Sequence, residues 1–351
     1  MKDAVIELRT QRWIDFYQGG APRILFLVNI QEEIPPRPLP HPDLVETRLD
    51  WAWQKYCTMV DRLEWLDDDS IPYLDVYTGT EIFAEAFGCN VHYSEDNMPF
   101  ALPIVSTWQE AEKLSLPELA TSPLDRLITM MGRLRQKAGA QALVKMVDMQ
   151  SPMDISALIW DKNTFYPALI EYPETVQCLS SKVHEFQVRF LDTWFHEFGL
   201  DYLAHYPDYY VPFGITLSED EIGVVNPAMF AQYFLPELEG LSRRYGQIGI
   251  HCCAHARHQW DTVLKIPGLF LLNLVQPLDV LNEAYRFFAP HCAQMHSWTG
   301  EGELWTWPSQ IPAQARVILT IDVETRKQAV EAARRLREAI YQLAEQDGET
   351  A

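Results

Sequence analysis

Short, continuous apolar runs in this chain alternate with longer stretches in which Leu, Trp, Phe and Met recur at helical spacing. A short apolar run bounded by Gly, Pro or Asp reads as a strand buried on both faces. Recurrence every three or four positions reads as an amphipathic helix. On this basis strands are predicted at residues 23–28 (RILFLV), 71–76, 142–147, 201–204, 248–250, 269–274, 292–295 and 316–321. Helices are predicted at 5–17, 44–66, 80–87, 122–138, 155–160, 165–172, 174–198, 226–245 and 324–344. The punctuation agrees: Ser122-Pro123 supplies an N-cap and a first-turn proline, while Gly88 and Gly199 stop the helices before them.

Strands that alternate with helices demand a parallel sheet with helical crossovers. Eight such units within a single-domain length predict a closed (β/α)8 TIM barrel with extra N-terminal helices and loops, one domain over residues 1–351. An open, doubly wound sheet is the second arrangement, but no Gly-x-Gly-x-x-Gly follows any predicted strand. The Pro-rich stretch 34–42, IPPRPLPHP, reads as an extended loop inside the domain.

Charge narrows the function. A net charge of -21 argues against nucleic acid and against an anionic membrane surface, both of which need clustered Lys and Arg. No run approaches the ~18 apolar residues of a membrane span. The N-terminal MKDAVIELRTQRWIDFY lacks the apolar core of a signal peptide. The 6 Cys have no disulfide-framework spacing, so a cytoplasmic protein with reduced thiols is expected.

In a barrel the chemistry gathers where the strands end at their C-terminal side. There the sequence places Asp75 and Thr78, Asp148 and Gln150, His205 and Asp208, His251 and Cys253, Asn273 and Gln276, His296, and Asp322 with Glu324. A single Asp there is commonplace, because Asp caps helices; polar, reactive groups after most strands are not. His251-Cys252-Cys253 is the sharpest feature. His-x-Cys at a strand exit is a metal-ligand spacing, and imidazole with thiolate is a donor set zinc favours. The rival reading is a buried Cys pair beside a capping His. Residues 296–311, HSWTGEGELWTWPSQI, carry Trp298, Trp305 and Trp307, and predict either a lid over the mouth or a dimer contact. With the aromatic stretch 205–213 they suggest a largely apolar or aromatic small substrate, or a methyl donor with a flat body. Asp148, His205, Asn273, His296, Trp298 and Trp305 are the candidate substrate-binding residues, and His296 is also a possible metal ligand.

Three ordered segments carry a family resemblance. Residues 148–174 end in Tyr172-Pro173-Glu174, 217–236 read LSEDEIGVVNPAMFAQYFLP, and 250–295 begin with His-x-Cys. Over residues 65–345 the chain resembles the uroporphyrinogen decarboxylase superfamily, and its corrinoid methyltransferase branch more than the decarboxylase. The substrate-binding Arg residues expected of the decarboxylase are missing from 25–33 (LFLVNIQEE). Its catalytic Asp, counted back from Glu85-Ala86-Phe87-Gly88, falls at about Gly79.

The methyltransferase resemblance implies a zinc site with His251 and Cys253 as ligands and catalytic residues. Asp322 falls roughly where that branch has a third Cys, and as a residue able to bind zinc it is the expected third ligand and catalytic residue. It further implies a thiol acceptor or small-molecule methyl donor, a corrinoid carried by a partner protein, and a homodimer. Two rival functions stand beside it. One is a lyase acting on a carboxylated ring, which needs Arg23, Lys145 or Arg257 to converge in the mouth. The other is a non-catalytic relative that binds a corrinoid protein.

Overall fold

The computed structural model describes residues 2–31, 36–94, 97–300 and 302–347. Helix α1 (Lys2–Tyr17) precedes strand β1 (Ile24–Ile30), whose side chains are buried except at Asn29. Helix α2 (Val45–Arg62), strand β2 (Tyr73–Leu74) and the short helix α3 (Ile82–Ala86) follow. Beyond helix α4 (Pro123–Ala138) and strand β3 (Leu143–Val144), the long helix α5 (Pro173–Phe198) leads to strand β4 (Tyr202–Leu203). Strand β5 (Ile215–Ser218), helix α6 (Leu235–Tyr245) and strands β6 (Ile248–Cys252) and β7 (Leu269–Leu274) come next. Helix α7 (Leu278–Phe288), strands β8 (Ala293–Ser297) and β9 (Val317–Val323) and helix α8 (Arg326–Asp347) complete the chain.

Six of these strands form one parallel ladder in the order β1-β9-β8-β7-β6-β5. From β5 the circuit continues through single bridges, Gln150 to Ser218 and Lys145 to Leu203, and then the β2–β3 pair. Strands β4 and β5 both pair with the chain that leaves β3, so they share one station and the wall has eight stations, as the alternation predicted. The predicted 201–204 strand is real but short. The strand beside β6 is β5, which the apolar pattern did not single out because Gly214-Ile215-Thr216-Leu217 is brief and follows an aromatic loop.

The second edge of β1 is held by side chains. Asp69 Oδ2 accepts from Phe26 N at 3.0 Å and Asp68 Oδ2 from Val28 N at 3.1 Å, while Asp69 N donates to Phe26 O at 3.0 Å. Both carboxylates are fully buried and both are paired: Asp68 with Arg9 of α1 at 2.9 Å, and Asp69 with Arg337 of α8 at 3.0 Å and Arg12 of α1 at 3.2 Å. One clasp therefore joins the strand edge to the first and last helices. The predicted helix 226–245 is interrupted. Pro227–Met229 is α-helical, Phe230–Phe234 is a π-turn, and α6 resumes at Leu235. Pro236 has no N–H to continue the α-pattern, which accounts for the shift. Among the described residues, no helix is long and apolar enough to cross a membrane.

Removing one partner of a buried ion pair leaves the other charge uncompensated. Asp69→Ala is expected to destabilise the fold by about 3–5 kcal/mol, and Glu46→Ala, which breaks only the exposed pair with Arg133, far less. Urea unfolding of the two variants measures the difference.

Candidate functional site

The site is built from the ends of β5, β6, β7 and β8, which run side by side. His251 on β6 sits level with Asn273 on β7, and Asn273 level with Met295 on β8. Asn273 Nδ2 donates to Met295 O at 2.5 Å, which turns its Oδ1 toward His251 Nδ1, also 2.5 Å away. That oxygen can only accept, so Nδ1 carries the proton and Nε2 keeps its lone pair. This is the tautomer a metal-ligating imidazole needs, fixed by a neighbour, as is usual around metals. Burial pulls the His251 pKa below the ordinary value, against the raising effect of Asn273 and Asp220, so the ring is neutral at pH 7. Tyr206 places its ring edge-on to His251, centroids 4.8 Å apart.

Asp220 reaches the same point from the turn after β5. Asp154 orients that turn by accepting from Asp220 N at 2.8 Å and Glu221 N at 3.0 Å. Asp220 Oδ1 accepts from Cys253 N at 2.6 Å. The ligand atoms of Asp220, His251 and Cys253 all lie within 4.8 Å of one another. Partial burial of its sulfur, and the Asp220 carboxylate beside it, push the Cys253 thiol up to about 11. Cys252, by contrast, is buried in the wall, and burial pushes its thiol well above the ordinary value.

Several expected site residues lie outside this three-residue group. Asp322 is not in the three-residue group: its Oδ1 accepts from Asn29 Nδ2 at 3.0 Å across the β1–β9 ladder, and it lines the mouth. The register, not sequence order, decides this, because β9 lies three strands from β6. His205 lines the mouth cavity with both ring nitrogens engaged, by Thr216 at 2.9 Å and Ser218 at 3.0 Å, and burial holds it neutral. His296 is buried against Tyr285 of α7, on the outer side of the wall, and burial pushes it down to about 4. The tryptophan loop packs on the closing helix: Trp305 lies 4.0 Å beneath the Arg335 guanidinium, and Trp307 is buried. Trp298 is fixed by its backbone N–H, which donates to Thr320 O at 2.9 Å. Trp305 and Trp307 are thus spent on the barrel's flank, and the predicted lid is not formed by them. Asp220 was the residue the pattern missed; its signal was the acidic Ser218-Glu219-Asp220-Glu221 turn inside the 217–236 segment.

Beside this group the mouth opens into a cavity of about 510 Å³, walled by Leu27, Tyr77, Met98, Pro99, Tyr206 and Pro207 among others. Two lysines in it are already paired, Lys55 with Asp75 at 2.7 Å and Lys145 with Asp208 at 2.5 Å. Burial alone would raise Asp75, but Lys55 and Lys145 outweigh it and hold the carboxyl well below the usual range. Asp148, half-buried on the same wall, moves the other way: burial, with a smaller push from Asp220, carries it up to about 6 against the pull of Lys145. Arg23 and Arg257 are not in this mouth. Arg23 donates to Pro312 O, and Arg257 pairs with Glu283 on the surface. Of the three cations a carboxylate-binding lyase would need, only Lys145 lines the cavity, and Asp208 neutralises it.

Comparison with known proteins agrees with this architecture. A solved structure of a methyltransferase from Methanosarcina mazei superposes with a TM-score of 0.65 at 10% identity, covering 95% of this chain and 98% of that one, and so shows the same barrel fold. A metallated homocysteine methyltransferase from Escherichia coli aligns over 76% of this chain and 97% of its own at 11% identity, with a TM-score of only 0.29. No curated protein matches the sequence. The family model described as uroporphyrinogen decarboxylase (URO-D) matches residues 73–271, more than half of the chain. On that match, the protein belongs to the uroporphyrinogen decarboxylase family.

Proposed function

We propose that this protein catalyses zinc-assisted methyl transfer between a small molecule and a corrinoid, carried by a partner protein or supplied as methylcobalamin. The observation that carries the reading is the convergence of Asp220, His251 and Cys253, with His251 locked in its ligand tautomer. The donor set fits the metal. Oxygen, nitrogen and sulfur from Asp, His and Cys are all zinc ligands, and three protein ligands leave a position for substrate. The raised Cys253 thiol fits as well: a carboxylate and a thiolate at this separation repel, and a dication relieves both. Bound zinc would supply Lewis acidity, lowering the pKa of a substrate thiol toward neutrality.

The chain's own residues do the rest. Asn273 and Asp154 hold the donor groups in place, and Tyr206 packs its ring against His251. Asp148, with a pKa near neutrality, takes or returns a proton at a substrate heteroatom in the cavity. The two lysine–aspartate pairs keep the remaining charges fixed. Gly79 lines the cavity where the decarboxylase's Asp was expected, and a Cβ there would collide with Glu81. With the cavity lysines neutralised, this favours methyl transfer over decarboxylation of a polyanionic ring.

Elemental analysis tests the metal. The expected content is about one zinc per chain in the wild type and in Asp322→Ala, lost in Cys253→Ala and in Asp220→Ala. Retention in Asp220→Ala with loss in Asp322→Ala would restore Asp322 as the third ligand. A zinc-free wild type after chelator-free purification would remove the proposal.

Asp148 gives a pH test. Its folded-state pKa lies above the unfolded value of about 3.9, so the native state binds the extra proton. Stability attributable to it therefore falls as pH rises from about 4 through about 6. Asp148→Asn is expected to stabilise the protein by about 1–3 kcal/mol at pH 7.5 and by almost nothing near pH 4. Urea unfolding across that range measures both the gain and the flattened slope.

A further inference from the structure

The turn between β2 and α3 has features that the methyl-transfer reading leaves unused. Tyr77 has φ +29°, a left-handed conformation that a bulky residue adopts only under constraint. It is held there from three sides. Asp75 Oδ1 accepts from Tyr77 N at 2.8 Å, and Arg48 donates to Val76 O and Tyr77 O, each at 2.7 Å. Arg37 lies 3.4 Å from the centre of the Tyr77 ring, at the mouth. Two residues on, Gly79 lines the cavity, and the space its missing Cβ leaves is taken by Glu81 Oε2, with Met98 Cε 3.1 Å from the same point.

Glu81 is only 2% exposed, and its Oε2 has no hydrogen-bond partner among the described residues. A buried polar atom without a partner costs about 1–3 kcal/mol, so it calls for an explanation. The atom lies directly behind the one wall residue that has no side chain. Met98, which approaches the same gap, is a flexible thioether able to change rotamer.

We infer that Glu81 is a substrate-binding residue: through the gap at Gly79 it donates a hydrogen bond to a neutral oxygen acceptor on a small molecule in the cavity. The class of molecule follows from the walls. The lining sets Leu27, Tyr77, Met98 and Tyr206 beside four aspartates, Asp75, Asp148, Asp208 and Asp322, and both lysines are already paired, so a polyanion meets more carboxyl groups than unpaired cations. The groups facing Glu81 are Arg48 from α2, Asp148 from beyond β3, Glu85 on its own helix, and Tyr93. Burial, aided by Asp148 and Glu85 against Arg48, carries the carboxyl up to about 7, so it is substantially protonated in neutral solution and able to donate. The inference rests on the cavity alone and does not depend on zinc or on methyl transfer.

Binding of acetophenone, a flat ring with one neutral carbonyl, tests it against ethylbenzene, which has the same shape and no acceptor. NMR titration of the wild type at pH 6 is expected to show about tenfold tighter binding of acetophenone, the scale of one hydrogen bond. Glu81→Leu should erase that preference. Glu81→Gln, which keeps a donor, should retain most of it and lose its decline above pH 7. In infrared difference spectra, acetophenone should shift a protonated-carboxyl band that Glu81→Gln lacks. Gly79→Ala, which fills the gap, should weaken binding as Glu81→Leu does. Equal or undetectable binding of the two probes to the wild type, or an undiminished preference in Glu81→Leu, would overturn the inference.

Discussion

Two buried carboxylates stand where the first strand of the barrel would otherwise have a bare edge. Asp68 and Asp69 satisfy the β1 amides that no neighbouring strand reaches, and their own charge is met by arginines from the first and last helices. A buried carboxylate left alone would be neutralised or would unfold its surroundings; paired and hydrogen-bonded it becomes a rigid joint. The wall depends on this joint because β1 carries β9, and β9 carries the ladder that ends at the candidate site. The register Asn29 to Asp322, which sets Asp322 in the mouth and away from Cys253, is part of the same chain of constraints.

At the mouth, charge is sorted by partner and by depth. Asp75 and Asp208 have lysines beside them and stay ionised. Asp148 and Glu81, buried with weaker compensation, shift toward neutrality. Carboxyls of one intrinsic acidity are thereby spread across a wide range on one cavity wall, which is the arrangement that lets a site hold fixed charge and exchange protons at the same pH. Beside it, the neutral His251, the Asp220 carboxylate and the Cys253 thiol form a donor group in which the carboxylate keeps the thiol protonated and a bound cation would favour its thiolate.

The placement of residues also separates framework from chemistry. His205 and His296 are both buried and neutral, with His205 bonded through both nitrogens and His296 packed on Tyr285, so they act as wall. Trp305 stacks under Arg335 and anchors the β8–β9 loop to the closing helix. What remains exposed to the mouth is a smaller set than the strand ends alone suggest.

The sequence by itself determined the barrel. Strand and helix periods are local properties, and parallel alternation permits few topologies, so the wall and most of its helices were legible from apolar spacing, Pro and Gly. His251 and Cys253 were legible too, because two ligands two residues apart at one strand end need no long-range information. The third member was not. Asp220 and Asp322 are both acids just past a strand, and only the order β5-β6 against β9-β1 brings one to Cys253 and ties the other to Asn29. Likewise a tryptophan-rich loop has one composition whether it covers a mouth or a flank. Glu81 is an ordinary helix-start residue in sequence, and becomes a buried, unpartnered carboxyl only when Gly79 and Met98 close around it. Periodicity is written in neighbouring residues; which side chains meet across the barrel is decided by the sheet register and by burial, both of which exist only once the chain has folded.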